Sequence, residues 1–292
     1  MAAPPPRTAR PRPPIGIDRY ALVGHPVQHS WSPFIHGMFA KQTGRDLQYR
    51  LIDAAPDDFE RVVRQFFAEG GKGLNVTVPH KQAAAALVDE LTPRAARAGA
   101  VNTIAWAATG GLLGDNTDGI GLVADLRNNI RTDIAGQRIL VLGAGGATRG
   151  VLGPLLDAKP ALLCVANRTE ERATELAARF ADTGPIVGCR YDAIPAGPYD
   201  LIVNATSASL TGEVPALPDH CMGPDTIAYD MAYAKEPTAF IRHATSRGVR
   251  RAYLGWGMLV EQAAEAYRVW RGTRPQTAQV LGLLAAGAPG RP

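Results

Sequence analysis

The sequence predicts an α/β protein with a mostly parallel sheet, built as two lobes. From Tyr20 onward, short runs rich in β-forming residues alternate with amphipathic stretches. A glycine-rich turn at 143–146 joins an apolar strand pattern to an apolar helical pattern, as at the start of a βαβ unit. The chain also has 292 residues, which is more than a single core of typical size accommodates.

The elements follow from the same patterns in chain order. The β-rich runs predict strands at Tyr20–Gly24, Gln48–Ile52, Gly73–Val78, Val101–Ala107, Arg138–Leu142, Leu162–Ala166, Leu201–Asn204 and Ile227–Asp230. The amphipathic stretches predict helices at Pro33–Thr43, Asp57–Glu69, Lys81–Leu87, from the glycine-rich turn to about Leu156, Met258–Trp270 and Pro275–Ala286. We place the boundary between the lobes in the helix that follows Asp118.

Composition indicates a cytoplasmic protein without a membrane or metal partner. Hydrophobic residues make up 46% of the chain, but its apolar runs are shorter than a membrane span requires. Cys164, Cys189 and Cys221 are odd in number and widely spaced, which is typical of free thiols in a reducing compartment rather than of a zinc site.

The net charge of +4 does not indicate a nucleic-acid partner. Arg7, Arg10 and Arg12 contribute three of these charges within residues 1–17, which contain no acidic residue, so the rest of the chain is nearly neutral. This segment has too many prolines for a helix and lacks the apolar centre of a secretory signal. We expect a disordered tail, with organelle targeting as the open alternative.

The glycine-rich turn is suited to binding a pyrophosphate. Gly143 permits a tight turn, Gly145 allows the backbone to approach the phosphates, and the following helix supplies N–H donors. Thr148 stands where a third glycine or an alanine is expected. The alternative is an ordinary strand–helix turn.

The end of the next predicted strand discriminates between NAD and NADP. An NAD-binding protein places an acid there, but this chain has Asn167, Arg168 and Thr169, followed by Arg172. A guanidinium suits an adenosine 2′-phosphate, so we favour NADP. Alternatively, both arginines lie on an exposed helix and are partly neutralised by the two glutamates between them.

Polar residues near the N-terminus could bind an anion. Ser32 suits a helix N-cap and Pro33 the first helical position. Ser30 would point to the same side as Ser32 on an extended chain, so both hydroxyls and the helix start could bind a carboxylate. Capping by Ser32 alone is the competing interpretation.

A second group of polar residues follows the third predicted strand. Strand alternation puts Asn75 and Thr77 on one face, and Lys81 comes just beyond the strand end, where its side chain can reach a cleft. Asn102 and Asp118 stand in two further polar clusters. Lys81 could instead be a surface residue, Asn102 could complete a turn, and Asp118 could cap a helix.

From about Tyr20 to the last helix, the chain resembles the shikimate dehydrogenase family. Nine segments carry the resemblance in order: His29–Pro33, Asn75–Lys81, Gly99–Thr103, Gly114–Gly119, Gly143–Ala147, Asn167–Thr169, Asn204–Thr206, Tyr229–Met231 and Gly255–Gln262. Beyond the tail at 1–17 that composition predicts, the resemblance implies a substrate lobe at 18–119, a Rossmann-like NADP lobe at 120–255, and C-terminal helices at 256–292 that return to the substrate lobe. The active-site groove is expected between the lobes.

The resemblance also implies an activity and a set of site residues. The activity is the NADPH-dependent, reversible reduction of 3-dehydroshikimate to shikimate in aromatic amino acid biosynthesis, by a monomer or homodimer. The implied catalytic pair is Lys81 and Asp118. The implied substrate residues are Ser30, Ser32, Thr77, Lys81, Asn102, Asp118, Tyr233 and Gln262. The implied cofactor residues are Gly143, Ala144, Gly145, Gly146, Ala147, Asn167, Arg168, Thr169, Arg172, Met231, Gly255 and Met258.

Departures from the family pattern are few. Trp31 stands where a smaller or cationic residue is common, Trp256 replaces a frequent leucine, and Ala239 replaces a usual proline. Two rival functions remain at this stage. One is an NAD-dependent quinate/shikimate dehydrogenase, and the other is a non-catalytic metabolite sensor with the same fold.

Overall fold

A computed structural model describes residues 17–206, 208 and 212–285. The expected tail at 1–17 lies, apart from Ile17, outside the described residues, as does the predicted end of the last helix at Ala286. The strands are β1 (Asp18–Gly24), β2 (Leu47–Asp53), β3 (Gly73–Val76), β4 (Glu90–Leu91), β5 (Thr103–Trp106), β6 (Leu112–Asp115), β7 (Arg138–Leu142), β8 (Leu162–Asn167), β9 (Ile186–Arg190), β10 (Leu201–Asn204), β11 (Ile227–Asp230) and β12 (Arg251–Leu254). The helices are α1 (Ser32–Thr43), α2 (Phe59–Ala68), α3 (Lys81–Leu87), α4 (Pro93–Ala98), α5 (Asp118–Ala124), α6 (Gly146–Asp157), α7 (Glu170–Ala178), α8 (Ala239–Ser246), α9 (Trp256–Arg271) and α10 (Ala278–Ala285).

The first sheet has the order β2-β1-β3-β5-β6-β4 and is mixed. Strand β1 is parallel to β2 and β3, whereas β5 is antiparallel to β3 and β6. Strand β4 is parallel to β6, so β5 alone runs against the others, and the expectation of a mostly parallel sheet is confirmed with this one exception. The physical reason is a short connection between β5 and β6, in which Gly110 and Gly111 adopt positive φ and let the chain reverse.

The second sheet is parallel throughout, with the order β12-β11-β10-β7-β8-β9. The chain starts at β7 in the centre, builds outward through β8 and β9, and then continues on the other side from β10. This is the strand order of a Rossmann fold, which confirms the predicted fold class. Its strand order reverses between β7 and β10, and a crevice for a ligand forms there at the carboxyl ends of the strands.

Strand limits differ from the sequence prediction where turns begin. Strand β3 ends at Val76 rather than Val78, because Thr77 starts a turn in which the His80 N–H donates to the Thr77 carbonyl at 3.0 Å. Pro79 in that turn has no N–H for a sheet ladder. The strands β4, β6, β9 and β12 were not predicted: β4 has only two residues, a glycine interrupts β6 and β9, and β12 begins with an arginine, so each gives a weak strand pattern.

Helix α9 crosses back from the second sheet to the first lobe. It follows β12 directly, and its apolar face packs against α1, with Val260 and Tyr267 in one core cluster with Ile35 and Phe39. Both faces of the second sheet are covered by separate apolar clusters. No helix among the described residues is both long and apolar enough to cross a membrane.

A buried ionic network ties α9 to the first lobe. Glu265 on α9 binds Arg94 from α4 at 3.2 Å, Arg268 at 2.7 Å, and Arg274 at 3.2 Å. Arg94 in turn makes a two-point contact with Asp115 at the end of β6, with both distances 2.6 Å. Burial alone would raise the pKa of Glu265, but hydrogen bonds and positive charge from Arg268 and Arg94 outweigh it and lower the pKa to about 2.

Neutralising Glu265 should change the acid stability of the protein. Because its folded pKa lies below the usual 4.5, ionised Glu265 stabilises the fold above that pH, and the contribution is lost as pH falls toward 2. We expect Glu265→Gln to lower stability at pH 7 by about 1–3 kcal/mol. The gap in Tm between this variant and the parent should narrow between pH 7 and pH 3.

The control for this prediction is Glu60→Gln, which removes an ion pair with Arg64 on exposed α2. That change should cost less than about 1 kcal/mol at any pH. A Tm gap for Glu265→Gln that stays constant with pH would contradict the assigned role of the carboxylate. Thermal unfolding followed by circular dichroism measures both variants.

Gly188 on β9 packs closely against α7, so a substitution there tests the packing between them. A Cβ at this position would lie 2.3 Å from the carbonyl oxygen of Ala173 on α7, and backbone cannot move aside cheaply. We expect Gly188→Ala to destabilise the protein by about 1–3 kcal/mol, the usual cost of overpacking. Gly37→Ala on α1 has open space at its Cβ and should have no destabilising effect, since alanine favours a helix. Equal Tm values for the two variants would refute this account.

Candidate active site

A cavity of about 870 Å³ lies between the two sheets, where residues following β3, β7, β8, β10, β11 and β12 converge. Two predicted cofactor residues, Thr169 and Arg172, do not line it. The other predicted site residues all do: Ser30, Ser32, Thr77, Lys81, Asn102, Asp118, Gly143, Ala144, Gly145, Gly146, Ala147, Asn167, Arg168, Met231, Tyr233, Gly255, Met258 and Gln262. Residues far apart in sequence thus form one site.

Lys81 and Asp118 form an ion pair in this cavity. The Lys81 Nζ lies 2.6 Å from the Asp118 Oδ2, and the two side chains are 14% and 6% exposed. Lys81 is the first residue of α3 and Asp118 the first residue of α5, so each side chain projects from a helix start. The N-cap of α5 is Thr117, so Asp118 is not the cap residue. Its carboxylate instead holds the ammonium in a mostly buried position.

Asn102 holds the other oxygen of Asp118. Its Nδ2 donates to the Asp118 Oδ1 at 2.8 Å and to the Gln262 Oε1 at 3.3 Å. Its Oδ1 accepts from the Thr117 backbone N–H at 2.8 Å and from the Thr103 hydroxyl at 2.9 Å. Because both ends of the amide are hydrogen-bonded, the Asn102 side chain is fixed in one orientation. It holds one carboxylate oxygen of Asp118 while the other contacts Lys81.

Asn75 and Tyr49 extend this network toward the N-terminal serines. The Tyr49 hydroxyl donates to the Asn75 Oδ1 at 2.7 Å, and the Asn75 Nδ2 donates to the Thr103 hydroxyl at 3.2 Å. Burial raises the pKa of Tyr49, although the Ser32 side chain beside the phenol acts in the opposite direction. Tyr49 was not predicted as a site residue, because tyrosine is common in β-strands.

Ser30 and Ser32 lie together on the cavity wall. Their hydroxyls are 3.0 Å apart, and the Ser32 N–H donates to the Ser30 Oγ at 3.2 Å. The expected N-cap role of Ser32 is wrong: Trp31 is the N-cap residue of α1, and Ser32 is already its first helical residue. Since the Ser32 hydroxyl does not cap the helix, both serine side chains remain available to a ligand at the helix start.

The start of α9 brings Gly255, Met258 and Gln262 into the cavity. Asp125 fixes this start from outside, since a Cβ on Gly257 would lie only 1.8 Å from its Oδ1. The Tyr229 hydroxyl donates to the Asp125 Oδ2 at 2.7 Å and accepts from the Met258 N–H at 3.3 Å. Burial raises the pKa of Asp125 above its usual range, with the Tyr229 hydrogen bond opposing the shift.

The glycine-rich turn forms the opposite wall. Gly143 has φ of +97°, as expected for a tight turn, and Gly145 is the N-cap of α6 without a side-chain cap. The first N–H groups of α6 are therefore available to a ligand. Thr148 replaces the expected small residue, and its hydroxyl donates to the Gly143 carbonyl at 2.8 Å, which closes the turn internally.

Arg168 reaches the cavity from the end of β8, whereas Arg172 lies on the exposed face of α7. The Asn167 Nδ2 donates to the Thr169 carbonyl at 2.8 Å, so this amide shapes the loop that carries Arg168. Tyr191 lines the same end of the cavity and was not predicted. Burial raises its pKa, and the nearby charge of Arg168 partly opposes that shift. Only the pairing of β8 with β9 reveals Tyr191 as a neighbour of Arg168.

Comparison with known proteins finds matches along most of the chain. Residues 22–104 match the shikimate dehydrogenase substrate binding domain, residues 125–211 match shikimate / quinate 5-dehydrogenase, and residues 255–284 match the shikimate 5′-dehydrogenase C-terminal domain. A shikimate dehydrogenase (NADP(+)) from Aeromonas salmonicida is 56% identical over 265 residues, covering 91% of this chain and 96% of the relative. The chain belongs to the shikimate dehydrogenase family.

Solved structures agree with this family membership. The crystal structure of an Ael1 enzyme from Pseudomonas putida is 44% identical with a TM-score of 0.84, and the match covers 91% of this chain and 98% of that one. Shikimate 5-dehydrogenase from Thermus thermophilus, in complex with NADP(H) and shikimate, is 32% identical with a TM-score of 0.79, covering 92% and 99%. The family therefore includes a structure with both ligands bound.

Proposed function

We propose that this protein is an NADP-dependent shikimate dehydrogenase, which reversibly reduces the ring ketone of 3-dehydroshikimate to the alcohol of shikimate. The observation that supports this best is the Lys81–Asp118 ion pair, which shares one cavity with the phosphate-binding turn at Gly143–Ala147. A ketone reductase requires two parts. One is a turn that binds the nucleotide cofactor, and the other is a polar group that stabilises or protonates the carbonyl oxygen. Relatives named shikimate dehydrogenase (NADP(+)) at 51–56% identity support the same function.

The division of the chain follows from this function. We assign residues 18–119 to substrate binding, 120–255 to cofactor binding, and the helices from 256 onward to the substrate lobe. Support comes from the sheet composition and from the packing of α9 against α1. The active-site groove then lies between the two binding regions, where hydride transfer can occur away from bulk water.

Substrate binding would use both ends of the polar network. Ser30 and Ser32 are suited to the carboxylate, because two hydroxyls and a helix start meet there. The ring hydroxyls would bind Thr77, Asn102 and Gln262, and Tyr233 would contact the substrate from the cavity wall. The amide of Asn102 already bridges Gln262 and Asp118, so these groups are preorganised before the substrate arrives.

The chain also fits NADP. The N-cap of α6 is a glycine with open space around its missing Cβ, which leaves room for a pyrophosphate against the first N–H groups of the helix. Arg168 at the end of β8 supplies a guanidinium for the 2′-phosphate. Met231, Gly255 and Met258 would surround the nicotinamide. Bound NADPH would supply the hydride.

Lys81 would stabilise or protonate the oxygen of the substrate carbonyl. Negative charge builds on this oxygen as the carbon is reduced, and an ammonium held in a low-dielectric site stabilises it or donates a proton to it. Asp118 orients Lys81, and Asn102 keeps Asp118 in place. In the reverse direction the neutral Lys81 amine that proton donation leaves would accept the proton of the shikimate hydroxyl.

The rival functions are less favoured. An NAD-dependent enzyme acting on quinate would be expected to carry an acid near residue 167, but this chain has Asn167 and Arg168. A non-catalytic sensor would not need the paired Lys81 and Asp118. Cofactor-reduction assays with shikimate and quinate, each with NADP and NAD, distinguish these functions directly.

We further propose a cytoplasmic location. All three cysteines are free and buried, and the sulfurs of Cys164 and Cys189 lie 3.5 Å apart without a bond, as suits a reducing compartment. Among the described residues no group of three or more His, Cys, Asp or Glu side chains could hold a metal ion. The proposed chemistry calls only for NADP.

Removing either member of the ion pair should abolish most turnover. We expect Lys81→Ala and Asp118→Asn each to lower kcat by at least roughly 100-fold, since a positioned proton donor or electrostatic group is lost. The measurement is NADPH formation from shikimate at saturating substrate, with circular dichroism to verify folding. Lys41→Ala on α1, outside the cavity, is the matched control and should leave kcat unchanged. Near-normal turnover of folded Lys81→Ala would refute the assignment.

Arg168 should determine the choice of cofactor. A 2′-phosphate brings about two negative charges that need a cationic partner, whereas a carboxylate repels it and accepts hydrogen bonds from the ribose diol. We expect the parent to prefer NADP, and Arg168→Asp to erase or reverse the preference, as measured by kcat/KM for both cofactors. Arg172→Asp should have a smaller effect, because Arg172 does not line the cavity. An unchanged ratio in Arg168→Asp would show that another group binds the phosphate.

A further inference from the structure

Trp31 and Trp256, the two tryptophans that depart from the family pattern, contact each other. Their ring centroids are 6.0 Å apart with an interplanar angle of 73°, an edge-to-face arrangement. Trp31 precedes α1 and Trp256 begins α9, so the contact joins two segments far apart in the chain. Both pack on the apolar cluster shared by α1 and α9.

Trp256 also contacts the loop that follows β11 in the second sheet. Its ring centroid lies 5.0 Å from that of Tyr233, with a tilt of 48°. Its indole N–H donates to the Ala234 carbonyl at 3.1 Å. The Gly255 N–H, one residue earlier, donates to the Ala232 carbonyl at 3.0 Å. One tryptophan therefore connects this loop to the start of α1.

The three rings stand at the wall of the cavity. Ser30 and Ser32 line the cavity on either side of Trp31, which is not itself a lining residue. Tyr233 lines the cavity, and Trp256 contacts it from outside the lining, next to the lining residue Gly255. The aromatic contacts thus join the proposed carboxylate site to the loop that carries Tyr233.

We propose that Trp31, Trp256 and Tyr233 form an aromatic bridge across the groove, in which Trp256 is a positioning residue that holds Tyr233 against the bound substrate. This inference rests on the proposed shikimate dehydrogenase function. Tyr233 lies between β11 and α8, outside any helix or strand, so side-chain contacts such as that with Trp256 contribute to its position. A leucine at position 256 would be smaller and would lose two ring contacts and the indole hydrogen bond.

The expected effect is on substrate affinity. Each aromatic pair is worth roughly 2- to 12-fold in an equilibrium constant. We expect Trp256→Leu to raise KM for shikimate about tenfold, with kcat changed less than about threefold, because Lys81 and Asp118 are untouched. KM for NADP should stay within about twofold. Trp256→Phe keeps the ring and should recover most of the affinity for shikimate.

A matched control exists in the first lobe. Trp106 is half exposed, its indole N–H donates to the Gly71 carbonyl at 2.9 Å, and its ring pairs with Phe67 at 5.3 Å. Trp106→Leu therefore removes the same kinds of contact outside the active-site cavity. It should lower Tm without changing KM for shikimate. A KM increase in Trp106→Leu equal to that in Trp256→Leu would mean that the effect is general destabilisation, and would overturn the proposal.

The decisive experiment is a double-mutant cycle on KM for shikimate. If Trp256 acts through Tyr233, Trp256→Leu should raise KM about tenfold in the parent but less than about twofold in a Tyr233→Ala background. An equal increase in both backgrounds, or no increase in the parent, overturns the proposal. Failure of the proposed function appears separately, as a parent enzyme that does not oxidise shikimate with NADP. In that case the same cycle is measured on Tm, and additive effects of the Trp256 and Tyr233 changes overturn the bridge.

Discussion

The candidate site depends on the ion pair between Lys81 and Asp118, which lies in a largely buried position. A charge taken out of water is costly unless a partner compensates it, and Asp118 is that partner for Lys81 at 2.6 Å. The carboxylate itself is 6% exposed, so it also needs a fixed donor, which Asn102 supplies. Asn102 is held in turn by the backbone N–H of Thr117 and the hydroxyl of Thr103.

Helix α9 carries this arrangement across the two lobes. It begins after Gly255 at the end of the second sheet, and its Gln262 side chain contacts Asn102. The residues of α9 that face α1 pack against it in one apolar cluster. Two buried carboxylates stabilise its position: Asp125, just after α5, lies against its first turn, and Glu265 of α9 itself binds Arg94 of α4. Helix α9 therefore contacts both lobes and also contributes Met258 and Gln262 to the cavity lining.

The proposed aromatic bridge adds a further contact at the cavity wall. Its members come from three separate parts of the chain, and its central ring also donates a hydrogen bond to the Ala234 carbonyl. Trp31 and Trp256, which both depart from the family pattern, contact each other and therefore form a single structural feature. Both tryptophans adjoin the cavity lining, because Ser30 and Ser32 flank Trp31 and Tyr233 contacts Trp256.

The sequence by itself determined the local features, such as turns and strand ends, that depend on consecutive residues. The tertiary structure decided which distant residues come into contact. The turn after β7 and the position of Lys81 beyond β3 follow from local patterns, because a strand–turn–helix unit depends mainly on interactions between near neighbours. The residues next to Gln262 do not themselves indicate contact with Asn102, which only the family resemblance had assigned to the same site, and local patterns did not predict the antiparallel position of β5. Such contacts join segments far apart in the chain, and their free energy comes from burial and pairing that exist only after the lobes have packed.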